Sequence, residues 1–174
     1  VMNMRRLFEH GAPMKKFPLV IIIVPSFNEE RTIRETIMSL KEVVYPRKSV
    51  EFILVNDGSR DKTSSIVRKC MSGDSRFRFI DRSVNRGKAR SLNEGIACAR
   101  GEFIACMDAD SIVESDILLK ALPHFSSGDI GAVTVSVEVL RPKGVLAKII
   151  AVEYHIGLSL FLKVFSFSLR YFFW

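Results

Sequence analysis

The sequence contains few cysteines, and they follow no metal-binding pattern. An odd number of thiols without CxxC or similar spacing argues against a disulfide framework and against a zinc site. Buried, reduced thiols in a cytoplasmic protein fit this usage best. The three residues are Cys70, Cys98 and Cys106.

Several motifs that define function classes are also missing. The chain has neither the P-loop pattern GxxxxGK[ST] nor GxGxxG. Its first residues, "VMNMRRLFEHGAP", lack the apolar centre of a signal peptide. The histidines have no partner at catalytic spacing, which favours surface or core roles for His10, His124 and His155. The start at Val1 and the end in "RYFFW" suggest an excerpt from a longer protein.

The last thirty residues are apolar, but they contain no long uninterrupted run. A transmembrane helix needs about 20 nearly uncharged residues. Lys148, Glu153, Lys163 and Arg170 interrupt residues 145–174. Two interpretations stay open: an amphipathic interfacial helix on a membrane surface, or an ordinary core helix covered by other parts of the protein.

Composition places the rest of the chain among globular proteins with anionic partners. The 174 residues are 48% hydrophobic, with a formal net charge of +7. Such a charge favours nucleic acid, phosphorylated small molecules or an acidic membrane surface. Basic and aromatic residues do not alternate on one predicted face, so nucleic acid is the weakest of the three.

Strands and helices alternate along the chain at intervals of about 30 residues. The run "LVIIIVP" lacks polar alternation and predicts a central parallel strand at 19–25, and Asn28 is expected to cap the next helix. Further strands are predicted near 50–56, 77–81, 102–108 and 131–139, and helices near 28–44, 62–70, 87–99 and 115–122. This order predicts an α/β sandwich on a mostly parallel sheet.

Polar clusters follow three of these strands: "PSFNEE", "NDGSRD" and "DADS". Because ligands bind at the carboxyl ends of parallel strands, we expect these clusters to meet. Asp57, Asp108 and Asp110 would then repel one another unless a cation lay among them. Mg²⁺ or Mn²⁺, completed by a diphosphate, suits such oxygen ligands. A DxD alone is weak support, since paired aspartates are common in solvated turns.

Asp57, Asp61 and Lys88, in or beside these clusters, have candidate roles. Asp57 is expected to face the cleft and accept N–H groups of a nucleobase, whereas Asp61 is expected only to cap a helix. The stretch "NRGKARSLNEG" begins a predicted helix, where the helix amino end and Lys88 or Arg90 could neutralise phosphate. The alternative for this stretch is a solvated basic face.

Together, "VIIIVPSFNEERTIRETIMSL", "VEFILVNDGSRDKT" and "NRGKARSLNEGIACARGEFIACMDADS" resemble the inverting glycosyltransferase family 2, over about residues 18–140. The stretches "AVTVSVEVLRPKG" and "AKIIAVEYHIGLSLFLK" further along the chain resemble the membrane-associated, often processive branch of this family, which includes poly-N-acetylglucosamine synthases. The resemblance implies a GT-A fold and a nucleotide-diphospho-sugar donor, with UDP-sugar expected. It assigns the metal to Asp110 and Asp108, and nucleotide-sugar contacts to Pro25, Phe27, Glu29, Val55, Asp57, Lys88, Asp108 and Ala109. Asn56 departs from the family's more common aspartate.

The resemblance also sets expectations for the whole protein. It implies a saccharide or lipid acceptor, work at the cytoplasmic face of the cell membrane, and a general base beyond Trp174. The expected organisation is a basic segment 1–17, a GT-A domain 18–144 and an incomplete acceptor region 145–174. Rival functions are a sugar nucleotidyltransferase and a non-catalytic, membrane-docked nucleotide-binding module.

Overall fold

The computed structural model describes residues 16–127, 130–135, 137–140, 144–146, 148–150 and 152. Contacts along the chain divide it into two units, Val1–Asp129 and Ile130–Trp174. The basic segment 1–17, apart from its last two residues, and most of 145–174 lie outside the described residues, so the predictions for them stay predictions.

The first unit is built on a parallel sheet of four strands in the order β3-β2-β1-β4. The strands are β1 (Val20–Ser26), β2 (Val50–Asp57), β3 (Phe77–Arg82) and β4 (Phe103–Cys106). The helices are α1 (Ile33–Lys41), α2 (Thr63–Met71), α3 (Lys88–Cys98) and α4 (Ile117–Ala121), with 3₁₀ helices at Arg47–Ser49 and Leu122–Ser127. The predicted alternation of strands and helices is confirmed through α4.

Apolar side chains of β1 and β2 pack on both faces of the sheet, which explains why their sequences lack polar alternation. One face holds Ile22 and Phe52 together with residues of α1, α2 and α4. The other face holds Ile21, Ile23 and Ile53 beneath α3. Burying each of these side chains contributes about 1.5–3 kcal/mol. The result is three layers, with the sheet between two layers of helices.

Two strand predictions need correction. β4 is four residues long rather than seven, and Ile104 and Cys106 are exposed because α3, the helix on their face of the sheet, packs on β1 and β2. The predicted fifth strand at 131–139 is wrong for its described residues, which form no strand. Alternation indicates a strand only where one face is covered, and Val135 and Val137 are exposed there.

The cysteines and the helices bear on two further expectations. All three cysteines are free, but Cys70 alone is buried, so the expectation of buried thiols is wrong for Cys106 and only partly right for Cys98. Among the described residues, no helix combines the length and the apolar character required to cross a membrane.

A buried ion pair fixes the start of β3 against the end of α1. The Arg76 guanidinium donates to Asp74 at 2.7 Å and to the Lys41 carbonyl at 3.0 Å. Arg47 approaches the other Asp74 oxygen at 3.0 Å. Both Arg76 and Asp74 are under 10% exposed in their side chains, at 5% and 9%. The hydrogen bond from Arg76 lowers the pKa of Asp74 from 3.8 to about 2.

We expect this carboxylate to make the protein sensitive to acid. Because the pKa of Asp74 is lower in the folded chain, its contribution is complete above pH 3.8 and is lost as the pH falls through about 2. The loss amounts to about 2 kcal/mol. Denaturant unfolding of wild type and Asp74→Asn at pH 5.5 and pH 2 measures it. The wild-type free energy of unfolding should fall by about 2 kcal/mol more than that of the variant; equal falls would contradict this.

Candidate functional site

A cavity of about 340 Å³ opens at the carboxyl ends of β1, β2 and β4. The strands deliver their polar residues to it because all of them run parallel and end at the same edge. The start of α3 forms its remaining side. The lining residues are Pro25, Ser26, Phe27, Glu29, Asp57, Asn85, Lys88, Ser91, Asp108, Ala109 and Asp110.

The cavity brings together every predicted site residue except Val55. The Val55 side chain is fully buried in the cluster beneath α3, with Ile53 and Leu92. Since it lies two residues before the end of β2, the helix covers it. The resemblance assigned Val55 to the base-binding positions, and that assignment stays a prediction, which a residue with a buried side chain could meet only through its backbone.

Three lining residues were not predicted from the sequence: Ser26, Asn85 and Ser91. Each lies within a motif already singled out. Ser26 directly follows Pro25. Ser91 is three residues after Lys88, which places Lys88 and Ser91 on the same face of α3. Helical spacing from Lys88 was the signal available for Ser91.

Hydrogen bonds between two loops hold the residues that follow β1. The Asn28 N–H donates to Ser59 Oγ at 2.9 Å, and its side-chain oxygen accepts the Arg60 N–H at 2.9 Å. Asn28 has a φ of 56°, in the left-handed region that asparagine tolerates. It does not cap α1, whose N-cap position is Thr32, four residues after Asn28. These bonds hold the backbone at Asn28, between Phe27 and Glu29.

The N-cap position of α2 is Lys62 rather than the expected Asp61, but Asp61, one residue earlier, contacts the first residue of that helix. Its carboxylate accepts the Thr63 N–H at 2.9 Å at the start of α2. It also accepts the Glu30 N–H at 3.0 Å, which adds a further link between the two loops. Burial alone would raise the pKa of Asp61, but these hydrogen bonds outweigh it and lower the pKa.

Asp57 lines the cavity, although its carboxylate is mostly occupied within the protein. Its oxygens accept the N–H groups of Arg86 at 2.9 Å and Gly87 at 2.7 Å, and the Arg82 guanidinium at 3.1 Å. Burial acts to raise the pKa of Asp57, and these donors more than reverse it, so the pKa is lowered. A nucleobase N–H would have to share a carboxylate that already holds the loop before α3.

The neighbouring position, Asn56, points to the other face of the sheet. Its side-chain N–H donates to Asp81 at 2.7 Å, and Ser59 donates to its oxygen at 2.5 Å. An aspartate at this position would bring a second carboxylate against Asp81. The departure from the family's common residue thus matches the residue that it contacts.

One lysine, Lys88, and four carboxylates, those of Glu29, Asp57, Asp108 and Asp110, line the cavity. Lys88, the first residue of α3, donates to Asp108 at 2.5 Å. The side chains of this pair are 62% and 56% exposed, so solvent screens their attraction. The Asp110 side chain, also exposed, takes part in no hydrogen bond among the described residues.

These groups fit a divalent cation completed by a ligand from outside the protein. Two carboxylates two residues apart line one cavity, and Asp108 already attracts the lysine cation. Within the described part of the chain, no group of three or more acidic, histidine or cysteine side chains could hold a metal. A cation here would need further oxygen ligands, such as those of a diphosphate and water.

Comparisons with known proteins find a matching family and related sequences. The model of "Glycosyl transferase family 2" matches residues 21–151. Poly-beta-1,6-N-acetyl-D-glucosamine synthase of Staphylococcus epidermidis is 35% identical over 136 residues, which are 78% of this chain and 32% of that protein. The chain therefore spans about a third of the length of this curated relative.

Solved structures of glycosyltransferases share the fold. The mannosyltransferase PcManGT from Pyrobaculum calidifontis, in complex with GDP-Man and Mn²⁺, has a TM-score of 0.62 and 32% identity, over 70% of this chain and 37% of that one. TarS of S. aureus has a TM-score of 0.64 and 25% identity, over 73% and 23%. The α/β architecture is thus the expected GT-A fold. With a family model that covers most of its length, the chain belongs to glycosyl transferase family 2.

Proposed function

We propose that the protein transfers a sugar from a nucleotide-diphospho-sugar, with UDP-sugar as the expected donor, to a saccharide or lipid acceptor. The transfer would invert the anomeric centre and require Mg²⁺ or Mn²⁺. The observation that carries the proposal is the single cavity shared by Asp57, Lys88, Asp108 and Asp110 at the ends of three parallel strands.

Each part of the cavity suits one part of such a donor. Phe27 is 44% exposed and offers an aromatic face beside Asp57 for the nucleoside. Lys88 and the amino end of α3 suit the diphosphate, because both present positive charge. Asp110, with Asp108, would hold the cation. When bound, that cation supplies positive charge that stabilises the departing nucleotide diphosphate.

The pairing of Lys88 with Asp108 suggests how the cavity prepares for the donor. In the structure, the two side chains form an ion pair with each other. Because both are largely exposed, separating them costs little. A diphosphate can therefore take Lys88 as its partner, and Asp108 becomes available to the cation.

The comparisons support a nucleotide-sugar donor and suggest the sugar. PcManGT, a relative by structure, binds GDP-Man with Mn²⁺. The staphylococcal relative is named for a polymer of N-acetylglucosamine, so UDP-N-acetylglucosamine is the first donor to test. The proposed place of work remains the cytoplasmic face of a membrane. The base that would deprotonate the acceptor hydroxyl is not assigned to a described residue.

Calorimetric titration of UDP-N-acetylglucosamine with Mn²⁺, then with excess chelator, tests the proposal. We expect a dissociation constant between about 1 μM and 1 mM, the usual range for enzyme substrates. Removing the metal should weaken binding by at least about tenfold, since the diphosphate loses its main counter-charge. GDP-mannose in the same experiment shows whether the site accepts a donor with a different nucleobase and sugar.

Two outcomes would favour the rival functions. Release of pyrophosphate from UTP and a sugar 1-phosphate would indicate a nucleotidyltransferase. Binding to anionic lipid vesicles, with no affinity for any nucleotide in the presence of Mn²⁺, would indicate a docking module and contradict the proposed transfer.

A further inference from the structure

Arg82, which no sequence motif singled out, contacts the lining residues Asp57 and Ser91 but does not itself line the cavity. β2 and β3 pair in parallel, with Asp57 and Arg82 as partners in register at their carboxyl ends. The Arg82 side chain is only 16% exposed. An arginine in this place has five N–H donors in a planar arrangement, so it can contact several acceptors at once.

The guanidinium uses those donors on two elements, β2 and α3. It donates to Asp57 on β2 at 3.1 Å, to the Ser91 hydroxyl at 3.2 Å and to the Arg90 carbonyl at 3.3 Å, the latter two on α3. It also forms an ion pair with Glu94, one turn further along α3. Arg82 thereby joins the end of β2 to the first two turns of α3.

The segment between β3 and α3 is held by the same carboxylate. Asp57 accepts the N–H groups of Arg86 and Gly87, which immediately precede Lys88. Arg82 donates to the same Asp57 oxygen as the Arg86 N–H, and it also donates to Ser91 and Arg90 in the helix that Lys88 begins. The position of Lys88 in the cavity therefore depends on a residue that does not line the cavity.

We propose that Arg82 is a positioning residue, which orients Asp57 and the start of α3 so that Lys88 faces Asp108 and the donor diphosphate. This inference rests on the proposed function for its ligand, but the loop geometry that it describes exists without a ligand. Lys88 acts on the diphosphate; Arg82 acts only through Asp57, Ser91 and Glu94.

Arg82→Gln tests the proposal in two independent measurements. Amide hydrogen exchange should be faster at Arg86 and Gly87, because their acceptor loses its fixed orientation. The affinity for UDP with Mn²⁺ should fall by about tenfold, the effect typical of residues that orient a ligating group. Arg78→Gln is the matched control: it lies on the same strand, its side chain is 52% exposed, and it should leave both measurements unchanged.

A double-mutant cycle with Lys88→Gln distinguishes positioning from general destabilisation. If Arg82 acts through Lys88, then Arg82→Gln should weaken UDP binding far less in the Lys88→Gln background than in wild type. Should Arg82→Gln fail to fold, Arg82→Lys keeps the charge beside Asp57 and Glu94, and should give smaller changes in the same direction.

The outcomes separate this inference from the proposed function. Wild-type exchange at both amides would overturn it, as would unchanged UDP affinity or fully additive effects with Lys88→Gln. If wild-type protein binds no UDP or UDP-sugar, the proposed function fails, and exchange at the two amides alone decides whether Arg82 holds the loop.

Discussion

Asp110→Asn should abolish metal-dependent nucleotide binding while the fold stays intact. The substitution keeps the size of the side chain but removes the negative charge that a hard divalent cation requires. Substituting a residue that only supports a metal ligand typically lowers metal affinity by about 10- to 100-fold. Losing the ligand carboxylate itself should therefore weaken UDP binding with Mn²⁺ by about 100-fold or more. Calorimetric titration measures the loss. The exposed position of Asp110 means that the unfolding transition should not move.

Asp116→Asn is the matched control for this experiment. Asp116 is a nearby carboxylate, 46% exposed in its side chain and paired with Lys120 outside the cavity. The control should bind UDP as wild type does. Titration heat that survives in Asp110→Asn would show that the cation, if present, depends on other ligands, and the assignment of the metal to this residue would be wrong.

The fold was predictable where a single physical signal dominates. β1 and β2 are apolar without alternation because both of their faces are covered, and they lie within a residue or two of the predicted ranges. β4 and the stretch 131–139 were less predictable. Their sequences show apolar residues, but whether both faces are covered depends on neighbours that the local sequence does not specify.

The site followed from a topological rule more than from any one residue. Parallel strands end at one edge, so the polar residues after β1, β2 and β4 had to meet. The rule did not specify which side chains near a strand end reach the cavity. The Val55 side chain packs beneath α3 rather than in the cavity. Asp57 lines the cavity, but its carboxylate oxygens accept hydrogen bonds from backbone N–H groups. Arg82 was not predictable, because its role depends on the register between β2 and β3.

Gly58→Ala should both destabilise the protein and disrupt the cavity. Gly58 follows Asp57 with a φ of +70°, and an added Cβ would lie 2.6 Å from the backbone of Val84 and Asn85. The left-handed conformation costs about 1–2 kcal/mol for a non-glycine residue, and the steric overlap adds about 1–3 kcal/mol. Since the atoms in the way belong to the backbone of the loop that carries Asn85, relief requires that loop to move.

Gly73→Ala separates the two costs. Gly73 has a φ of +79°, but nothing lies within 4 Å of its added Cβ. The control should therefore lose only about 1–2 kcal/mol of unfolding free energy and bind UDP with Mn²⁺ normally. Gly58→Ala should lose more and should bind at least about tenfold more weakly, because the loop before Lys88 is displaced. Equal destabilisation of the two variants, with equal binding, would mean that the contact between Gly58 and the loop has no part in shaping the cavity.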